Sequence, residues 1–172
     1  ASARSYQITF EQKHSATFDQ SEKQNLVIPI QFSLLNDTLE PLDLGYTGQE
    51  QTTLELNDTQ QSLTFQNVDT KPIPSLLHGF SAPVKLNYAY NQQQLGNVML
   101  GSPDDFARWD AGQKLFSDCI HGLAGKTQSQ QTVLINQTIA IFEPIIQATG
   151  MSLALKSEIL TLPSFETLFQ QV

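Results

Sequence analysis

The chain has 172 residues, a length that fits one ordinary domain or two small ones. Apolar residues make up 40% of it, led by ten Phe, enough to build a core and to exclude wholesale disorder. Nine Lys and Arg, unclustered, against a net charge of −8 and a pI near 4.6, argue against nucleic acid or an anionic membrane as partner.

A single cysteine, Cys119, rules out an internal disulfide framework and suits a reducing compartment. No stretch approaches the ~20 apolar residues that span a bilayer. Ala1 to Tyr6 lacks a signal-peptide apolar region, and the expectation is a cytoplasmic protein. The chain has no initiator Met and enters a strand pattern almost at once, so both ends read as cut points.

The first half reads as strands. Tyr6, Ile8 and Phe10 alternate with polar neighbours, the period of a half-buried strand. A polar loop, Lys13 to Asn25, leads to an apolar run from Leu26 to Leu35. Pro29 lies inside that run and lacks an amide hydrogen, which predicts a bulge or a sheet edge. Leu39 to Gly48 is turn-rich, with Pro41, Gly45 and Gly48. Thr52–Leu56 and Ser62–Gln66 read as two strands of a hairpin joined through Asn57–Gln60. Val84, Leu86 and Tyr88 alternate again as a final strand. Short strands separated by turns, with no helix between them, predict an antiparallel, Ig-like sandwich over residues 1–88.

From residue 89 onward the period changes to that of helices. Asn91 is a candidate cap for a helix over Gln92–Leu100. In Ser102-Pro103-Asp104-Asp105 the serine can cap, Pro103 fits the first helical position, and the aspartates suit the positive end of the helix dipole. Phe106, Trp109, Phe116, Cys119, Ile120 and Leu123 then form an apolar stripe, with Trp109 expected as a core anchor and Gly125 as a stop. A third helix spans Gln131 to Gly150, where Pro144 should cost about 3 kcal/mol and bend or break it. Leu153–Leu162 is a fourth helix, and Pro163-Ser164 starts a fifth. The chain as a whole is α+β: a sandwich, then a small all-α array of short helices over residues 89–172.

No constellation in this sequence carries chemistry by itself. Zinc hydrolysis needs closely spaced ligands, and His14, His78 and His121 fall in three different elements with no His-Glu-x-x-His string. Cys119 and His121 are two positions apart on a helix and point to different faces, so they cannot form a thiolate–imidazolium couple. No Gly-x-Ser-x-Gly elbow, Walker loop or dinucleotide fingerprint occurs. Asp104, Asp105 and Asp110 lack the alternate spacing of a calcium loop. Asn36, Asn57 and Asn136 head Asn-x-Thr tripeptides, which matter only on a glycosylating route. The expected catalytic, cofactor-binding and metal-binding residues are therefore none.

Two stretches stand out: Lys71-Pro72-Ile73-Pro74-Ser75-Leu76-Leu77-His78-Gly79-Phe80-Ser81-Ala82-Pro83-Val84-Lys85-Leu86, and Asp105-Phe106-Ala107-Arg108-Trp109-Asp110-Ala111-Gly112-Gln113. Together they resemble the bacterial aminopeptidase N family of zinc metallopeptidases. The likeness continues through Ser21–Leu26 upstream and Glu158–Ser164 downstream, so it covers essentially the whole chain in order. It implies a sandwich that acts as spacer and the opening helices of a helical domain that covers an active site. The zinc ligands, catalytic Glu and substrate-anchoring motif of the family have no counterpart here. The chain is thus expected to be non-catalytic, with zinc, peptide substrates and the partner catalytic domain belonging to a longer parent enzyme. A cut chain should also expose apolar surface and self-associate. The rival expectation is a free-standing Ig-like binding module with a helical appendage, since sandwich folds host many functions.

Overall fold

The chain divides into two units, Ala1–Val84 and Lys85–Val172, in the computed structural model, which describes residues 4–15, 18, 23–44 and 51–169. In the first unit, β1 (Ser5–Glu11) pairs antiparallel with β4 (Gln60–Gln66). A second sheet centres on β2 (Ile28–Leu35), flanked by β3 (Thr52–Leu56) and β5 (Ile73–Leu76), again antiparallel. Alternation places Ile8 and Phe10 of β1, Leu54 and Leu56 of β3 and Phe65 of β4 in the interior, with polar neighbours outside. The sheets meet at Phe32, which is fully buried. Its ring lies 5.4 Å from Phe10 and 6.2 Å from Phe65, tilted and edge-on respectively, geometries that aromatic quadrupoles favour.

Three strand expectations need correction. β3 and β4 are not a hairpin; they belong to different sheets. The connection between them crosses the sandwich because Gln12, just past β1, holds it. The Gln12 amide donates to Asp58 O and Leu56 O at 3.0 and 3.4 Å, and its backbone N–H donates to Thr59 O at 2.9 Å. Val84, Leu86 and Tyr88 form no strand; the last strand is the proline-bounded Ile73–Leu76. Pro29 causes no bulge, since its register with Glu55 is continuous. β5 covers only Phe32–Leu35, so at Pro29 the strand is paired on one flank and a missing N–H is tolerated there. Pro41 bridges Leu35, while Gly45 and Gly48 lie outside the described residues, as do Ser21 and Glu22.

The second unit holds α1 (Gln92–Gly101), α2 (Asp105–Gly122), α3 (Gln128–Gln147), α4 (Leu153–Leu160) and α5 (Phe165–Phe169). Asn91 caps α1 in a full capping box with Gln94. The cap of α2 is Asp104, whose carboxylate accepts from Ala107 N at 2.8 Å. Ser102 instead closes α1, and its hydroxyl accepts from Asp104 N at 3.1 Å, so Pro103 sits in the turn before the cap.

α2 packs on α1, α3 and α4. Its fully buried face is lined by Ala107, Ala111, Gly112, Leu115 and Cys119, while Phe106, Trp109, Phe116, Ile120 and Leu123 are half-buried beside it. Small residues win this face because α4 comes close: a Cβ on Gly112 would lie 3.1 Å from Ile159 and 3.3 Å from the Met99 sulfur. Phe116 stacks on Phe142 of α3 at 4.3 Å.

α3 starts earlier than expected and runs through Pro144 to Gln147. Pro144 lies in the last turn, where one forfeited hydrogen bond breaks nothing downstream. The Lys156 ammonium also donates to Ile146 O at 2.8 Å, satisfying a terminal carbonyl.

Replacing Phe32 with Ala removes the ring on which both sheets close. The expected loss is ~3–5 kcal/mol of unfolding free energy for the first unit. Urea titration followed by far-ultraviolet circular dichroism checks it; a loss below ~1 kcal/mol contradicts this packing.

Candidate functional site

Several of the titratable groups are engaged in local structure. His14 lies beside the end of β1, with Nε2 2.7 Å from Gln12 Oε1. His121 is exposed in the last turn of α2, where it suits the negative end of the helix dipole. Cys119 is buried among the small residues of α2. Asp104 is spent on capping, and Asp105 sits exposed in the first turn beside it. Asp110 lies further along the same helix, its carboxyl raised above the ordinary value by desolvation, with Lys114 acting in the opposite direction. Among the described residues no group of three or more His, Cys, Asp or Glu could hold a metal ion. The described residues therefore bring no such ligand set together. A shallow hollow along the first turns of α3, lined by Lys126, Gln130 and Val133 among others, offers no acid–base pair.

One segment is built with more care than its position in a loop requires. His78 is 1% exposed, and its Nε2 lies 3.0 Å from Ser75 Oγ and 3.5 Å from Ser33 Oγ, both hydroxyls fully buried. These contacts tie the short 3₁₀ turn His78–Phe80 to β5 and β2. Around the histidine, Leu77, Gly79 and Phe80 all adopt left-handed backbone, with φ of 57°, 58° and 54°. For Gly79 this carries no steric penalty, and a Cβ there would meet open space, so backbone conformation alone selects glycine. For Leu77 and Phe80 it costs roughly 1–2 kcal/mol each.

The turn is held by Phe80 N donating to Leu77 O and Ser81 N donating to His78 O, both at 3.0 Å. Gln31 N of β2 donates to Ser81 Oγ at 3.1 Å. The result presents Phe80 at the surface, 52% exposed. The family resemblance marked this stretch as distinctive, but neither the left-handed backbone nor the Gln12 clamp has a periodic signature. The tripeptide Leu77-His78-Gly79 is the one local signal, a glycine next to a residue that ends up buried.

Comparison with known proteins decides the family. Residues 1–89 match a domain family described as "Domain of unknown function (DUF3458) Ig-like fold", and residues 92–172 its companion, described as "DUF3458_C" with ARM repeats. The chain belongs to the DUF3458 family. It is 37% identical over 161 residues to aminopeptidase N of Escherichia coli strain K12 and 31% identical over 160 residues to that of Haemophilus influenzae. Each alignment takes in 92% of this chain and 18% of the relative. A crystal structure of Legionella pneumophila aminopeptidase A in complex with aspartic acid shares the fold at a TM-score of 0.74 and 26% identity, over 99% of this chain and 18% of that one. The DUF3458 chain thus corresponds to a segment of aminopeptidase N and spans under one fifth of these relatives' length.

The raised Asp110 carboxyl gives a signed pH prediction. Ionising it costs more in the fold than in the unfolded chain, so the penalty grows as pH rises above the ordinary 3.8 and is absent well below it. Asp110 keeps solvent contact, which keeps the effect small. Asp110→Asn should melt slightly higher than the parent chain at pH 7, the difference vanishing near pH 3. Scanning calorimetry at both pH values checks it, and a lower midpoint at pH 7 contradicts it.

Proposed function

We propose that this DUF3458 chain is a non-catalytic structural segment of a zinc-dependent aminopeptidase N that removes N-terminal residues from peptides. The sandwich serves as a spacer, and the helices begin the domain that covers the active site of the parent. The observation that carries this reading is the alignment with aminopeptidase N relatives along 92% of the chain, against only 18% of theirs. It agrees with the chemistry of the described residues: His78 and Cys119 are buried, Asp104 caps a helix, and no cluster of metal-ligating side chains forms among them. In this reading zinc and its ligands reside in another domain of the parent, which is also the intramolecular partner of this segment. We place that parent in the cytoplasm, in keeping with the lone, buried Cys119.

The purified chain, supplied with zinc, should show no turnover of an aminoacyl-anilide. Turnover that a chelator abolishes would overturn the proposal. A reading frame that extends upstream and encodes His-Glu-x-x-His separates it from a free-standing binding module, for which the frame would stop near Ala1 and Val172.

The isolated chain should also self-associate through its helical unit. Leu153, Leu162, Phe165 and Phe169 are each more than 60% exposed, and α5 buries no side chain. Sedimentation velocity at rising concentration should show the sedimentation coefficient increasing; a constant monomer value contradicts it.

A further inference from the structure

Alternation gives β3 and β4 two ways to bury the same residues. As observed, Leu54 and Leu56 pair with Ile30 and Ile28 of β2, while Leu63 and Phe65 pair with Ile8 and Tyr6 of β1. A hairpin turning at Asp58-Thr59 would set Leu56 opposite Gln61, Leu54 opposite Leu63 and Thr52 opposite Phe65, again with the apolar side chains on one face. That hairpin closes a very short loop, whereas the observed pairings join segments distant in sequence, so loop-closure entropy favours the hairpin. Asn57 and Asp58 also suit a tight turn. The two strands nevertheless lie in different sheets.

We infer that Gln12 is a topological lock that keeps β3 and β4 apart, and that without its side chain they pair with each other as a hairpin. Gln12 is 6% exposed, and its amide bonds as a strand backbone would: Oε1 accepts from Leu26 N at 2.9 Å while Nε2 donates to Leu26 O at 3.0 Å. This pair joins the end of β1, in one sheet, to the approach of β2, in the other. The amide nitrogen also donates to Asp58 O, and Gln12 N donates to Thr59 O. These are the carbonyls of the two central residues of the alternative turn, which a tight hairpin leaves to water. His14 Nε2, 2.7 Å from Oε1, holds the amide in this orientation; a carbonyl oxygen only accepts, so that nitrogen carries the hydrogen. An apolar side chain at position 12 makes none of these bonds. Carbonyls left unpaired there would cost enough to shift the balance between two pairings of similar burial.

The test attaches pyrene to Thr53→Cys and Thr64→Cys, with Cys119→Ala removing the buried thiol. Both positions are exposed and sit opposite Gln31 and Gln7 in different sheets, whereas the hairpin would set them opposite each other. Excimer emission is read in dilute solution, above that of singly labelled chains, so that contact between molecules does not contribute. It should be low with Gln12 in place and about tenfold higher with Gln12→Leu, which keeps the bulk and removes the amide. Phe10→Leu, which loosens the same sheet and leaves Gln12 intact, should keep the low value. An unchanged signal in Gln12→Leu would overturn the inference. So would a signal no higher than that of the labelled chain unfolded in urea, which would make Gln12 a support of stability and not a selector of pairing. An equal rise in Phe10→Leu would overturn it too, because the signal would then follow loosening of the sandwich in general.

Discussion

Phe32 is the residue through which all five strands of the sandwich are joined. It is in register with Thr52 of β3 on one side and Leu76 of β5 on the other, so it sits where the central strand is paired on both flanks. Its ring reaches across to Phe10 of β1 and Phe65 of β4, which lie in the opposite sheet opposite Gln61 and Tyr6 respectively. A small sheet of two strands has little stability of its own. Here it is held by burying Phe10 and Phe65 against one fully enclosed ring, and the register of β1 on β4 follows, because a slip of one residue would leave only one of the two rings on the buried face.

The same strand carries order outward to the surface. Immediately after Phe32, Ser33 is in register with Ser75, and both hydroxyls reach His78. Ser33, Ser75 and His78 are buried together, and the contacts of the imidazole Nε2 with both hydroxyls hold the turn that follows β5. The left-handed residues flanking His78 are the cost of putting the imidazole inside while the chain reverses around it. Gln12 does comparable work at β1: its amide oxygen accepts from Leu26 N while its nitrogen grips the carbonyls of the β3–β4 connection. Two buried polar side chains thus decide the topology that apolar alternation leaves open.

That division explains which features were legible in the sequence. Patterning found β1, β3 and β4 as short strands, and β2 as an apolar run, which is buried on both faces from Phe32 to Leu35. It could not distinguish a hairpin from a crossing between sheets, because both need the same two amphipathic strands and a short polar link. The distinction lies in hydrogen bonds from Gln12, 46 residues away from Asp58. β5 escaped notice because Ile73–Leu76 is short and carries Pro74, while Val84–Tyr88 alternates without a neighbour to pair with. Helix starts read well where capping chemistry is local, as at Asn91. They misread at Ser102, where two candidate caps lie two residues apart and Asp104, the one nearer the helix, wins. The buried face of α2 was misjudged because aromatic size was taken as the measure of burial, whereas close helix approach selects Ala and Gly.

The expectation that no residue here is catalytic came from a different kind of reading. Catalytic groups need spacing that brings them together, and a sequence can fail that requirement visibly: three histidines in three elements, and one thiol whose nearest histidine faces another way. The structure adds where each group is used instead. His78 secures a turn, Asp104 caps a helix, and Cys119 is buried on the inner face of its helix. A segment whose reactive side chains are consumed by architecture is suited to setting the position of other parts, and rigidity is then the property its sequence must encode. The enclosed ring of Phe32 fixes the sandwich, and its register partner Leu76 ends the strand that leads directly into the strained turn at residues 77–80.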